Sequence, residues 1–166
     1  QLLADDNFIM AGRMADQPGR LPMIPAMAIS RGENFTEPLS LVRLVPDKKL
    51  EDSLRIKFPE TTVIVEGKDL TALLRCDMGN SLVFFSHDNG RTWSKPTEHN
   101  FPMAASKIYA GILSTGQRYI LCNLPSPVYR DLLVVAVSRP GRKEFSRMWK
   151  IRDGRCQILE AGPEWS

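Results

Sequence analysis

The sequence predicts an all-β fold, and two observations carry this prediction. The apolar residues alternate with polar ones or form short runs that end at Gly, Pro or Asp, which is typical of strands joined by tight turns. In addition, a unit made of a strand, a turn and an aromatic residue occurs three times along the 166 residues. No sustained helical period of apolar residues competes with this pattern.

The middle copy of the unit, "SHDNGRTW", shows what the turn requires. Ser86, Asp88, Gly90, Thr92 and Trp93 fit the pattern S-x-D-x-G-x-T-W directly after the apolar run "LVFF". Asp88 can accept hydrogen bonds from backbone N–H groups inside the turn, and Gly90 tolerates a positive φ. We therefore predict a peripheral hairpin with Trp93 buried between strands, and we interpret Asp88 as a structural residue rather than a catalytic acid or base.

The outer two copies are degenerate but keep the same order. "PAMAIS" ends at Ser30 before Phe35, and "VVAVS" ends at Ser138 before Phe145. A strand follows each aromatic residue, and paired strands precede the later two copies, so each unit has four short antiparallel strands. Units of this size and composition are typical of the blades of a β-propeller. The predicted blades are 1–46, 58–100 and 105–153, and 154–166 begins a further blade.

Composition excludes several classes of protein. With 43% hydrophobic and 25% charged residues, the chain has the composition of a globular protein with a sizeable core. The net charge of +3 is small and the basic residues are scattered, so we expect no nucleic-acid partner. No apolar run approaches the roughly 20 residues that span a membrane. The first residues, "QLLADDNF", have no signal-peptide features.

Metal and cofactor chemistry find no support in the sequence. Cys76, Cys122 and Cys156 are too far apart for a disulfide framework or a zinc site. The two histidines, His87 and His99, have no partner at metal-ligand or triad spacing. We therefore expect neither a metal nor a cofactor.

The motif "SHDNGRTW" resembles the Asp-box, or BNR repeat, of the sialidase (neuraminidase) superfamily of six-bladed propellers. The longer stretch from Glu60 to Trp93 is similar to a sialidase blade in which a Glu opens the innermost strand and an Arg ends the next one. This resemblance places Glu60 at the family's general base and Arg75 at one of its three substrate-carboxylate arginines. "LCNLPSPVYRDLLVVAVS" resembles the following blade and places Arg130 at another of these arginines. Arg13, which ends a strand-like run in "AGRMAD", is a further substrate-binding candidate that we expect to face the propeller centre.

The chemistry of the family suits these residue types. Planar guanidinium groups clamp a carboxylate by bidentate, charge-assisted hydrogen bonds. In sialidases a Tyr is the nucleophile and a Glu draws off its proton, in place of the usual pair of carboxylates. The resemblance therefore implies a glycoside hydrolase that releases a terminal acidic sugar from a glycan, in an extracellular or periplasmic location. The alternative is a noncatalytic Asp-box propeller that binds carbohydrate or protein.

Plainer interpretations of the same residues stay open. Glu60 can be a solvent-exposed carboxylate at a strand entry. Arg75 and Arg130 can be surface ion-pair partners of Asp77 and Asp131.

The resemblance covers about three blades of the family's propeller. The family's first arginine, catalytic Asp and nucleophilic Tyr fall outside it. We therefore expect that the chain is part of a longer polypeptide whose missing propeller blades complete the site, and that the chain alone is inactive.

Overall fold

The computed structural model describes residues 1–14, 24–45, 49, 54, 59–76, 81–125 and 130–154. The strands within these ranges form three antiparallel sheets. The first sheet contains β1 (Ile9–Met14), β2 (Ile24–Ile29) and β3 (Ser40–Arg43). The second contains β4 (Thr61–Glu66), β5 (Asp69–Leu74), β6 (Leu82–Ser86) and β7 (Thr97–Glu98). The third contains β8 (Tyr109–Ile112), β9 (Arg118–Asn123), β10 (Leu132–Ser138) and β11 (Phe145–Asp153).

Each sheet is a meander whose strands lie side by side in chain order. At one edge of the second sheet, β4 contacts β1 of the first sheet and β8 of the third. The three sheets therefore follow one another in space as they do along the chain, and the predicted all-β fold of antiparallel, blade-like sheets is confirmed. Among the described residues, helical conformation occurs only at Lys49 and Leu54, between the first and second sheets.

The first sheet differs from the four-stranded unit that the sequence predicts. Ile29 lies opposite Ile9, and the Ser30 N–H donates to the Phe8 carbonyl, so β1 corresponds to β5 and β9, the second strands of the other sheets. Next to the start of β1, Leu2 pairs with Phe8. This single bridge corresponds to the pairing of Glu66, at the end of β4, with Asp69 in the second sheet. Within the described residues the first sheet thus has three full strands. The proposed start of a further blade at 154–166 lies, beyond Gly154, outside the described residues.

Two apolar clusters hold the sheets together, and the second sheet contributes to both. Leu70, Ala72 and Leu74 pack into the cluster shared with the first sheet, whereas Leu73 packs into the cluster shared with the third. Because side chains alternate between the two faces of a strand and both faces of β5 are covered, its residues from Leu70 to Leu74 are all buried. This explains why "LTALL" is apolar at every position except Thr71.

The turn between β6 and β7 has the hydrogen bonds expected of the middle motif. Asp88 accepts from the Thr92 N–H at 2.9 Å, from the Thr92 hydroxyl at 2.6 Å and from the Ser86 hydroxyl at 2.8 Å. Asn89 and Gly90 both have positive φ. The indole N–H of Trp93 donates to the Gly90 carbonyl at 2.9 Å. The Trp93 ring is half-buried against the apolar cluster that the first and second sheets share. Trp93 therefore anchors the turn from its edge rather than from a fully buried position.

The acidity of Asp88 makes this turn a source of stability that depends on pH. Partial burial opposes ionisation, but the hydrogen bonds from Thr92 and Ser86 outweigh it and lower the pKa of Asp88 from 3.8 to about 2. Since the unfolded chain then binds the proton more tightly, Asp88 stabilises the fold fully above about pH 4, and this contribution is lost as the pH falls through about 2.

We expect the Asp88→Asn substitution to lower the free energy of unfolding at pH 7 by about 1 to 2 kcal/mol, a value that allows for solvent screening. At pH 2 the difference from the unaltered chain should be close to zero. Urea denaturation at the two pH values measures both. An equal destabilisation at pH 7 and pH 2 would show that the carboxylate charge does not carry the effect.

Candidate functional site

Glu60 and Arg75 lie side by side because they flank the same hairpin. Glu60 directly precedes β4 and Arg75 directly follows β5, and the antiparallel pairing of these strands brings the two residues opposite each other. The Arg75 N–H donates to the Glu60 carbonyl at 2.9 Å, and the Arg75 Nη1 donates to the Glu60 Oε2 at 3.0 Å. The Arg75 side chain is 14% exposed and that of Glu60 is 33% exposed. The pair is therefore partly buried but open to a ligand on the Glu60 side.

A cavity of about 250 Å³ adjoins this pair and receives residues from all three sheets. Arg13 comes from β1 of the first sheet, Glu60 precedes the second, and Lys107 precedes β8 of the third. The rest of the lining is Ala11, Gly12, Pro59 and Thr61. The structure thus brings Arg13, Glu60 and Arg75 together and adds Lys107, which the sequence analysis missed.

The strand register explains why these charges meet. Phe8 lies opposite Ser30 in the first sheet, as Leu70 lies opposite Ser86 in the second. Arg13 follows Phe8 at the same spacing at which Arg75 follows Leu70, so the two arginines have equivalent positions in their sheets. Tyr109 pairs with Leu121 in the third sheet, and the same register places Lys107 opposite Asn123. Glu60 lies opposite Arg75 in the second sheet in the same way, so Lys107 and Glu60 have equivalent positions. A single lysine before an apolar run carries no recognisable motif. Only this equivalence between sheets could have identified Lys107 from the sequence.

Arg130 lies at the corresponding end of the third sheet, just before β10. Its Nη2 donates to the Ala105 carbonyl at 3.2 Å, and the Asn123 side-chain amide donates to the Arg130 carbonyl at 2.9 Å. Ala105 lies two residues before Lys107 in the chain, so Arg130 contacts the segment that leads to the cavity. Among the described residues Arg130 makes no ion pair with Asp131. Asp77, the other proposed partner, lies outside the described residues.

Asp88 belongs to a different part of the second sheet. Glu60 and Arg75 lie where β4 begins and β5 ends, whereas β6 runs towards the opposite end of the same sheet and finishes at Ser86. The Asp88 carboxylate is also fully engaged within its own turn. The turn motif and the candidate site are thus separated by the length of the strands.

The tyrosines of the described chain are not paired with Glu60. The rings of Tyr109 and Tyr119 lie 6.0 Å apart on neighbouring strands of the third sheet. Burial and a hydrogen bond between their side chains raise the pKa of Tyr119. Tyr129 lies outside the described residues. A tyrosine nucleophile is therefore not assigned.

The described cysteines and histidines do not line the cavity of the candidate site. Cys76 and Cys122 are buried free thiols, and burial raises the pKa of Cys122 to about 11. Cys156 lies outside the described residues. No group of His, Cys, Asp and Glu side chains in the described chain could hold a metal ion. No described helix is long and apolar enough to cross a membrane.

Comparisons with known proteins agree with this architecture. The chain is similar to a crystal structure of the K499G mutant of NanB sialidase from Streptococcus pneumoniae, with a TM-score of 0.58 and 17% identity over 91% of this chain and 22% of that one. It is also similar to a structure of NanB plus Optactamide, with a TM-score of 0.63 and 15% identity over 92% of this chain and 23% of that one. No curated protein sequence matches the chain significantly.

The two structural similarities establish the fold, and the chain spans less than a quarter of the length of these sialidase chains. A family model described as a BNR repeat-like domain matches residues 23–163, which is most of the chain and includes the second and third sheets in full. With its repeated strand-turn units and sialidase-like sheets, the chain therefore belongs to the family of BNR repeat-like domains.

Proposed function

We propose that the chain is part of a sialidase-type glycoside hydrolase that acts on a terminal acidic sugar of a glycan. Glu60 is the general base, and Arg75, Arg130 and Arg13 bind the carboxylate of the substrate. The observation that carries this proposal is the Glu60–Arg75 ion pair at the edge of a cavity that Arg13 and Lys107 also line. Three cations and one carboxylate from three sheets form a site suited to an anion.

The geometry supports a division of labour between Glu60 and Arg75. Arg75 fixes the Glu60 carboxylate by a charged hydrogen bond of 3.0 Å, which leaves the second carboxylate oxygen free of that bond. A carboxylate held in this way can accept a proton from a phenol positioned by another blade. The guanidinium groups hold the sugar carboxylate through planar donor pairs, a task for which an ammonium group is less suited.

We further propose that additional blades of the same polypeptide complete the propeller, with 1–46, 58–100, 105–153 and 154–166 as consecutive parts of it. An apolar row crosses the outer face of the third sheet through Tyr109, Leu121, Val135 and Trp149. Tyr109 is 60% and Trp149 49% exposed. A further sheet packed on this face would bury the row and bring in the nucleophile and the acid. Terminal acidic sugars on glycans fit an extracellular or periplasmic location.

Ligand binding and turnover test the proposal separately. The 166-residue chain should show no turnover of a fluorogenic sialoside, because the reaction needs a nucleophile and an acid from further blades. The complete polypeptide should hydrolyse it with retention of configuration at the anomeric carbon. A complete polypeptide that neither binds nor cleaves the sialoside would overturn the proposal.

A noncatalytic propeller is the second candidate. The Glu60 carboxylate accepts a hydrogen bond from Arg75 at 3.0 Å, and such an ion pair can also serve only to shape the wall of a binding cavity. In that case the same cavity would bind an acidic glycan without cleaving it. Binding of the sialoside by the complete polypeptide, measured by calorimetry, with no release of the fluorophore would decide for this function.

A further inference from the structure

Lys107 and Arg13 line the cavity, whereas Arg75 lies behind Glu60 and does not line it. Arg75 is largely buried and bound to Glu60, whereas Arg13 and Lys107 are both exposed. Within the described ranges neither of them has an ion-pair partner. They approach Glu60 from the two sheets on either side of it, so a ligand beside Glu60 lies within reach of a cation from each neighbouring sheet.

The charges of Glu60 and Arg75 largely offset each other, because their side chains are joined at 3.0 Å. The remaining field in the cavity then comes from Arg13 and Lys107. Cavity walls of low dielectric focus such a field, and therefore raise the local concentration of anions and not of neutral molecules. Discrimination between charged and neutral ligands is thus a property that these two side chains can supply.

The cavity is small and open to solvent. Its volume of about 250 Å³ lies just below the roughly 300 to 1,000 Å³ that is usual for pockets that enclose drug-sized ligands. Such a space can receive a single terminal sugar unit. The carboxylate of such a unit would lie close to the cations at the cavity wall.

We propose that Lys107, with Arg13, sets the preference of this cavity for anionic over neutral sugars. This inference rests on the proposed function and adds to it a residue of the third sheet outside the set of carboxylate-binding arginines. Lys107 is a specificity-determining residue and takes no part in bond breaking. Its role is to attract and orient the anion while Glu60 and Arg75 remain paired.

The test compares N-acetylneuraminic acid with its methyl ester as ligands of the polypeptide that carries this chain. The two probes have the same ring and substituents, but the ester has no negative charge. We expect Lys107→Gln to weaken binding of the acid by about threefold to tenfold and to leave binding of the ester unchanged. Lys107→Arg should retain most of the preference, because it keeps the charge. Binding is measured by NMR titration.

Lys143→Gln is the matched control, because it removes the same charge from an exposed lysine that does not line this cavity. Equal losses for Lys107→Gln and Lys143→Gln would overturn the inference, since they would reflect net charge alone. Equal losses for the acid and the ester would also overturn it, since they would indicate a structural effect. If the unaltered protein prefers the acid and Lys107→Gln prefers it to the same degree, this inference alone fails. If the unaltered protein binds neither probe, the proposed function fails as well.

Discussion

Replacing Arg118 by alanine is expected to lower the free energy of unfolding by about 3 kcal/mol, because it leaves a partly buried carboxylate without its partner. Arg118 begins β9 in the third sheet, and Glu66 ends β4 in the second. The Arg118 Nε donates to the Glu66 Oε1 at 2.8 Å, and the Arg118 Nη2 bonds to the other carboxylate oxygen. The Arg118 side chain is 7% and that of Glu66 29% exposed. This bidentate pair is therefore a cross-link between two sheets in a largely dry environment.

Urea denaturation of three variants measures the effect. Arg118→Ala should be much less stable than the unaltered chain, and the double substitution Arg118→Ala with Glu66→Ala should recover part of the loss, because it removes the unpaired carboxylate as well. Arg147→Ala, on the exposed strand β11, is the control and should change the stability by less than about 0.5 kcal/mol. A loss for Arg118→Ala that is no larger than that of the control would contradict the assigned role.

The ion pair between Glu66 and Arg118 also affects the geometry of the candidate site. Glu66 and Arg118 join the second and third sheets near the end opposite to Glu60, while the apolar cluster of Ile64 and Ile120 fills the space between them. We therefore expect the ion pair and the cluster to hold β8 beside β4, and with it the position of Lys107 relative to Glu60. The packing of the sheets thus determines the geometry of the cavity, although none of these residues lines it.

Much of the fold could be predicted from local sequence because each strand is a short apolar run bounded by turn residues. The runs "TTVIVEG", "LTALLRC" and "VVAVS" all contain strands in the structure. The turn around Asp88 was predictable for the same reason, since its hydrogen bonds join residues no more than four positions apart. Local chemistry specifies these elements, and tertiary packing only selects their register.

The features that local sequence could not predict depend on neighbours distant in the chain. "WSKPTE" contains a strand of only two residues, Thr97–Glu98, and in the part of the chain that the structure describes the first sheet has no full strand beyond β1 at its inner edge. Trp93 is half-buried, and the apolar cluster against which it packs includes Ile9 and Met27 of the first sheet, which are far from it in the chain. Lys107 reaches the cavity because β8 of the third sheet packs beside β4 of the second. Such facts follow from pairing over long sequence separations, which no short motif encodes.

In the complete polypeptide, Glu60→Gln is expected to lower kcat by about 100- to 1,000-fold while leaving KM unchanged or lower. The rate falls because an amide cannot accept the proton of the nucleophile. Binding is maintained because glutamine keeps the size of the side chain, and because its amide oxygen can still accept the hydrogen bond from Arg75.

Arg75→Ala, unlike Glu60→Gln, should also impair binding, with an increase in KM of about tenfold or more. This substitution removes a carboxylate-binding group and also leaves Glu60 without the bond of 3.0 Å that orients it, so kcat should fall as well. Glu98→Gln, an exposed residue of β7 that does not line the cavity, is the control for the loss of a negative charge. Steady-state kinetics with a fluorogenic sialoside measures all three variants. If Glu60→Gln raised KM and left kcat unchanged, Glu60 would be a binding residue, and the base would have to come from another blade.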